Sequence, residues 1–326
     1  MKQQSFETER ERAWVAFAEQ LTQVRQGYRL GADQDSAQFV AEYRRLARDL
    51  SVARARGYSR RLVRYLNDLV VQGHNVVYAY RAGFLRSALV FLRAGFPQRV
   101  RRAWRYMLVA GIGFIVPLLG MVFTIFAAPE WVYSVMPAEQ VSAMEAMYDP
   151  SAEHLGRERQ SDTDFMMFGF YIMNNISITF QLFASGLVFG LGSVLYVVVN
   201  GLFIGAATGH LLSIGYHTTF LPFVVGHGSF ELTALVIAGG AGLMLGHALL
   251  APGPVGRLTA LRNVAPQAVQ IVMGAALMDL AAAFIEAFWS SSTAIGAGVK
   301  YSVGAVLWAM VLGYLIFAGR GVDARE

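Results

Sequence analysis

Between Tyr106 and Gly319 the chain carries six stretches almost free of charge: Tyr106–Ala128, Phe165–Gly186, Leu187–Gly209, Leu232–Leu250, Gln267–Leu277 continuing to Trp289 past Asp279 and Glu286, and Tyr301–Gly319. Each comes near the roughly 20 residues that an α-helix needs to cross hydrocarbon. The second and third are almost continuous, which requires a tight turn near Ser185-Gly186. The fold class that follows is all-α, a polytopic membrane protein with about six transmembrane helices.

The remainder of the chain belongs to another solvent. Residues 1–105 hold 20 of the 27 Lys and Arg and 9 of the 22 Asp and Glu. Apolar positions recur there at helical spacing: Trp14, Phe17, Leu21 and Val24; then Phe39, Val40, Tyr43, Leu46 and Leu50; then Leu62, Leu66, Leu69 and Val76. This predicts three amphipathic helices in residues 1–81, separated at Gly31–Ser36, with Ser36 as an N-cap, and at Gly57–Ser59. From Ala82 to Phe96, leucines alternate with Arg86 and Arg93, and Arg99, Arg101, Arg102 and Arg105 follow. Residues 82–105 are expected to form an interfacial amphipathic helix and a basic juxtamembrane segment that meets membrane lipids; a fourth helix of the soluble bundle fits the same pattern.

Met1 to Arg29 is rich in Glu and Arg and lacks the apolar core of a signal peptide, so insertion is expected to depend on the internal spans. There is no cysteine, which excludes disulfides, thiolate metal sites and cysteine nucleophiles.

Arginine placement predicts orientation. Arg99–Arg105 precede the first span, Arg257 and Arg262 lie between the fourth and fifth, and Arg320 and Arg325 follow the last, whereas the loop 129–164 holds eight acidic residues against Arg157 and Arg159. Six spans within 106–320 put the arginine clusters on one side, the cytoplasm, with a cytoplasmic N-terminal helical domain, a cytoplasmic tail at 321–326 and an outer loop at 129–164. The stretch from His210 to Phe230 is then external, yet Ile214, Tyr216 and Phe220–Val225 are too apolar for a solvated loop. A re-entrant segment with irregular backbone is expected there.

Several strings resemble the stage II sporulation protein M family of bacterial membrane proteins. They are Tyr43-Arg44-Arg45-Leu46-Ala47-Arg48-Asp49-Leu50, Leu66-Asn67-Asp68-Leu69, Asn174-Asn175, Asn200-Gly201, Gly226-His227-Gly228-Ser229-Phe230-Glu231-Leu232 and Ala238-Gly239-Gly240-Ala241-Gly242. The resemblance covers nearly the whole chain, and the string from Gly226 to Leu232 with its glycine run is the most specific part. It implies a multi-pass protein of the bacterial cytoplasmic (inner) membrane, working with peptidoglycan-degrading enzymes in spore formers. In other bacteria it implies an association with MoxR-type ATPase systems. It implies no enzymatic activity.

The polar residues of the spans are the candidate site. An ionised carboxylate at the bilayer centre costs roughly 3 kcal/mol or more, so each needs a partner, a proton or water. His227 and Glu231 share a helix face four residues apart, and Asp279 and Glu286 share one seven apart. With Asn200 these form the expected polar intramembrane cluster, and Asn174 and Asn175 are further intramembrane amides. The cluster serves as a hydrogen-bond network pinning the re-entrant segment, as a proton or ion path, or as a site for ligand or lipid. A zinc site from His227, Glu231 and a carboxylate of the fifth span is conceivable, but HGSFE is not HExxH and offers no second nearby histidine. Gly226-His227-Gly228-Ser229 lacks the setting of a nucleophile elbow. No catalytic residue, metal or cofactor is expected.

Gly201, Gly205 and Gly209 form a small-residue face, as do Gly186 with Gly190 and Gly242 with Gly246. They serve packing within the bundle or the seam of a homodimer. The basic domain lacks interleaved aromatics for stacking bases, so nucleic acid is not expected as a partner. The functional expectation is a non-enzymatic membrane scaffold of an envelope or peptidoglycan-remodelling complex, with envelope hydrolases or MoxR-type ATPase system proteins as partners; the rival is an ion- or proton-coupled transporter or channel.

Overall fold

Water and hydrocarbon demand different packing, and the computed structural model, which describes residues 3–25, 34–151, 164–292 and 294–321, divides accordingly after Val90 into two compact units. Every regular element among the described residues is helical.

In the first unit, α1 (Gln3–Arg25), α2 (Gln34–Ala55) and α3 (Arg60–Val90) bury the predicted stripe. Phe6, Trp14, Phe17 and Leu21 of α1 meet Phe39, Leu46 and Leu50 of α2 and Leu62, Leu66 and Leu69 of α3. The buried Trp14 indole donates to Asp49 Oδ2 at 2.9 Å, which satisfies both polar groups inside the core. Gly57, at φ +62°, makes the predicted break between α2 and α3, and Ser59 Oγ accepts from the Leu62 N–H to cap α3. Ser36 falls inside α2 rather than ahead of it, so it is not an N-cap; most of the Gly31–Ser36 break lies outside the described residues.

Residues 82–96 depart from the expected separate helix. No separate surface helix begins at Ala82: α3 continues to Val90, a π-helical turn occupies Phe91–Gly95, and α4 (Phe96–Arg102) follows. The helical period simply persists until Gly95-Phe96-Pro97, where Pro97 suits the first turn of a new helix.

The second unit continues with α5 (Trp104–Ala127), a 3-10 turn at Pro129–Trp131, α6 (Val132–Val135), α7 (Ala138–Tyr148) and α8 (Asp164–Ala184). Then come α9 (Leu191–Ser213), α10 (His217–Leu250), α11 (Arg257–Ile285), a π-helical turn at Glu286–Ser290, and α12 (Ala297–Phe317). Among the described residues, five helices are long and apolar enough to cross a membrane: α5, α9, α10, α11 with its π-turn, and α12. The second predicted stretch is helical as α8 but is not among the five; Asn174, Asn175 and Gln181 lower its apolarity. Large apolar side chains on α5, α9 and α12, among them Val116, Phe123, Leu195, Val306 and Phe317, point outward as a lipid-facing surface requires.

α10 lies at the centre, touching α5, α8, α9, α11 and α12. Its 34 residues reach about 51 Å, well beyond the roughly 30 Å of hydrocarbon. Within 210–230 the backbone leaves the helix only at the turn 214–216. α9 runs to Ser213, a turn through Gly215 follows, and 217–230 is the continuous N-terminal part of α10. The apolar surplus that suggested membrane insertion has another explanation. Phe220 is buried with Val132 and Met136, and with Val141 and Met144 of α7, so residues of the presumed outer loop form a lid over the end of α10. Residues 152–163 of that loop, with Arg157 and Arg159, lie outside the described residues.

The glycine faces are used within the chain. Side chains at Gly201 and Gly205 would strike the backbone of α5 at Phe114 and Leu118, and one at Gly209 would crowd Val122 and Ile125. The tight turn predicted near Ser185-Gly186 is a 3-10 turn at Ser185–Leu187 ending in Gly190, whose φ of +80° favours glycine and whose backbone lies directly on Gly246. Gly186 likewise meets Gly242. These glycines therefore pack helices of the same chain against one another. At the other end of the bundle, Arg101 donates to the carbonyls of Leu315 and Ala318, both at 2.7 Å, and Gln98 donates to that of Gly319, so this basic segment caps α12.

Candidate intramembrane polar site

The site forms where α10 meets the end of α11. Gly226 is one reason the two approach so closely: a side chain there would run into the Trp289 ring. One turn of i,i+4 spacing then brings His227 and Glu231 to the same face, with His227 Nε2 3.9 Å from Glu231 Oε2. Across the contact, the π-turn Glu286–Ser290 presents Glu286 and Ser290. One donor atom from each of His227, Glu231 and Glu286 lies within 4.8 Å of the others. Single-turn π-helices of this kind are frequent at functional sites.

His227 is 5% exposed. Its Nδ1 is 3.1 Å from Ser290 Oγ, and its ring stands edge-on to Phe223. The buried Lys300 of α12 donates from Nζ to the Ser290 carbonyl at 2.8 Å. That carbonyl stands at the end of the π-turn, where helical partners run out. Tyr148 of α7 packs its ring against Phe220 and Phe223. Burial, followed by the negative charge of Glu286, pushes the Tyr148 phenol up from its ordinary value, so it remains a protonated donor beside the carboxylates.

Of the predicted cluster, His227, Glu231 and Glu286 converge. Asp279 is 1% exposed two turns along α11, where it faces the buried Thr179 of α8, and its Oδ2 has no hydrogen-bond partner. Asn200 is not part of the site; it lies on α9, which pairs with α5, and its amide donates to the Tyr196 carbonyl at 2.7 Å. Asn174 donates to Asn175 Oδ1 at 3.0 Å, and Asn175 is buried with its own Nδ2 unpaired. His210 instead joins the lid, 2.7 Å from Glu145 of α7, and His247 meets the Tyr106 hydroxyl at 2.6 Å at the opposite end of α10.

Residues 112–291, holding α8 to α11 and every member of this cluster but Lys300, match the stage II sporulation protein M family. The chain belongs to that family. A second match, to a domain of unknown function (DUF8413), covers residues 4–79 and coincides with α1, α2 and most of α3. No curated protein and no solved structure matches the chain.

In this stage II sporulation protein M family member, Ser290, Lys300, Tyr148 and Thr179 complete the surroundings of the predicted residues, and none was singled out by sequence. Ser290 and Lys300 carried one usable signal: a lysine at the start of an apolar span needs a nearby acceptor. Tyr148 gave none, since its role depends on the fold of the lid.

Proposed function

We propose that this protein is a non-enzymatic integral scaffold of an envelope or peptidoglycan-remodelling complex in the bacterial inner membrane. In this reading there are six spans, α8 included, both termini are cytoplasmic, and the lid with its acidic residues faces outward. The first unit, with its surface arginines, offers a cytoplasmic docking domain, and the lid offers an outer one. Envelope hydrolases and MoxR-type ATPase system proteins are the expected partners.

The observation that favours a scaffold over a carrier is where the polar residues stop. Past Asp279, toward the C-terminal end of α10, the contact between α10 and α11 is built from Ala241, Met244, Ile271, Val272 and Ala275. Nothing in that apolar plug can relay a proton or solvate an ion. The convergence of His227, Glu231 and Glu286 is what favours the rival, an ion- or proton-coupled transporter or channel.

Affinity purification from native membranes followed by mass spectrometry tests the proposal. Recovery of envelope hydrolases or an ATPase is the expected result. Their absence, together with ion or proton flux in liposomes that Glu286→Gln abolishes, would replace the scaffold by the carrier.

A further inference from the structure

Two carboxylates that approach each other inside a membrane bundle require a cation or a proton between them. Glu231 and Glu286 do so, and among the described residues no Lys or Arg lies within ion-pair distance of either. The nearby Lys300 is committed to the Ser290 carbonyl. We propose that His227, Glu231 and Glu286 bind one divalent transition-metal ion of the Zn²⁺ class, which fastens the N-terminal part of α10 to the π-turn after α11.

The histidine supplies the argument that carboxylates alone could not. Its ring is almost wholly buried, and Nδ1 is engaged by Ser290 Oγ, which directs Nε2 at the carboxylates. Fixing one ring nitrogen by a hydrogen bond while the other faces the ion is how metal-binding imidazoles are ordinarily held. The 3.9 Å from Nε2 to Glu231 Oε2 is too long for a hydrogen bond. Two ligands at about 2.0–2.2 Å from a tetrahedral ion stand roughly 3.3–3.6 Å apart, so the pair needs to close by only a few tenths of an ångström to share one. Donors on a helix and on the adjoining π-turn are held rigidly, because Gly226 seats that turn against α10.

Ligand chemistry selects the ion. One imidazole with two carboxylates suits zinc and its neighbours in the first transition row. Calcium takes six to eight oxygens, and magnesium keeps an octahedral shell of mostly water and oxygen. Glu231 remains 28% exposed, so protein does not seal the site completely. The binding requires no partner protein and holds whether the chain is a scaffold or a carrier.

The test uses the full chain, purified in detergent and stripped with a chelator. Calorimetric titration with Zn²⁺ should give one ion per chain, and added Zn²⁺ should raise the midpoint of thermal unfolding, whereas Mg²⁺ and Ca²⁺ at the same concentration should not. Glu286→Gln and Glu231→Gln should each weaken Zn²⁺ at least tenfold, while Glu145→Gln, in the lid, should leave it unchanged. X-ray absorption of the zinc-loaded wild type gives a readout independent of whether the variants fold: one imidazole with oxygen ligands is expected. A shell with several imidazoles, no saturable binding, or affinity indifferent to both glutamate substitutions would overturn the assignment.

Discussion

The two units of this chain solve the same packing problem with opposite residues. The first closes around Trp14, Phe17, Phe39 and Leu66, large side chains whose removal from water drives association. The second brings helices together through Gly186, Gly190, Gly201, Gly205, Gly242 and Gly246, where backbone meets backbone. A leucine gains little by leaving lipid for protein, so contact area and close approach hold the second unit where apolar burial holds the first.

The contrast breaks most visibly at the glycines. Gly242→Leu would force a side chain into Ser193 and the carbonyls of Leu182 and Phe183. It is expected to abolish assembly, seen as loss of the monodisperse peak in size-exclusion chromatography. Were the variant to purify normally, close backbone packing would not be what holds the second unit. Leu66→Ala, in the other unit, should cost about 2–5 kcal/mol by leaving a cavity. Hydrogen exchange should then accelerate across α1–α3 while α9–α12 keep their protection. Trp14→Phe preserves most of the apolar area but removes the donor to Asp49, and should cost about 1–3 kcal/mol in the same measurement. An unchanged exchange profile would show that this buried pair adds nothing to the first core.

The smallest effect lies on the lid. Hydrogen bonds from the Ser151 side chain and backbone hold the exposed Asp149 carboxyl below its ordinary range. A depressed pKa contributes stability above the unfolded value, near pH 4, that is lost as the pH falls through the folded one. Asp149→Asn should therefore lower lid protection slightly at neutral pH and make no difference in strong acid. Hydrogen exchange of 138–151 at both pH values checks the sign.

The same comparison explains what the sequence disclosed. The apolar period of α1–α3 and the uncharged windows survive as helices because each reflects the solvent around a single element. The i,i+4 pair His227–Glu231 and its convergence with Glu286 were also legible, since a buried carboxylate has few affordable neighbours. The unbroken α10 was not. Phe220–Val225 is as apolar as a membrane segment, and only tertiary structure reveals that α7 and Val132 cover Phe220. Asn200 misled because an amide in a span can satisfy itself on its own helix. The π-turn that carries Glu286 and Ser290 follows from no local sequence signature.

The arginine that caps α12 joins positions 214 and 217 residues apart. During synthesis Arg101 emerges before any of α5 to α12, while the carbonyls it grips are made only after α5 to α11. The bundle thus resembles a purse whose cord is laid first and drawn last: its two ends can meet only once all the chain between them has been made. Such long-range closure makes completion slow and cooperative. A ribosome halted before α12 would leave a nearly whole bundle with its guanidinium still searching for carbonyls that do not yet exist.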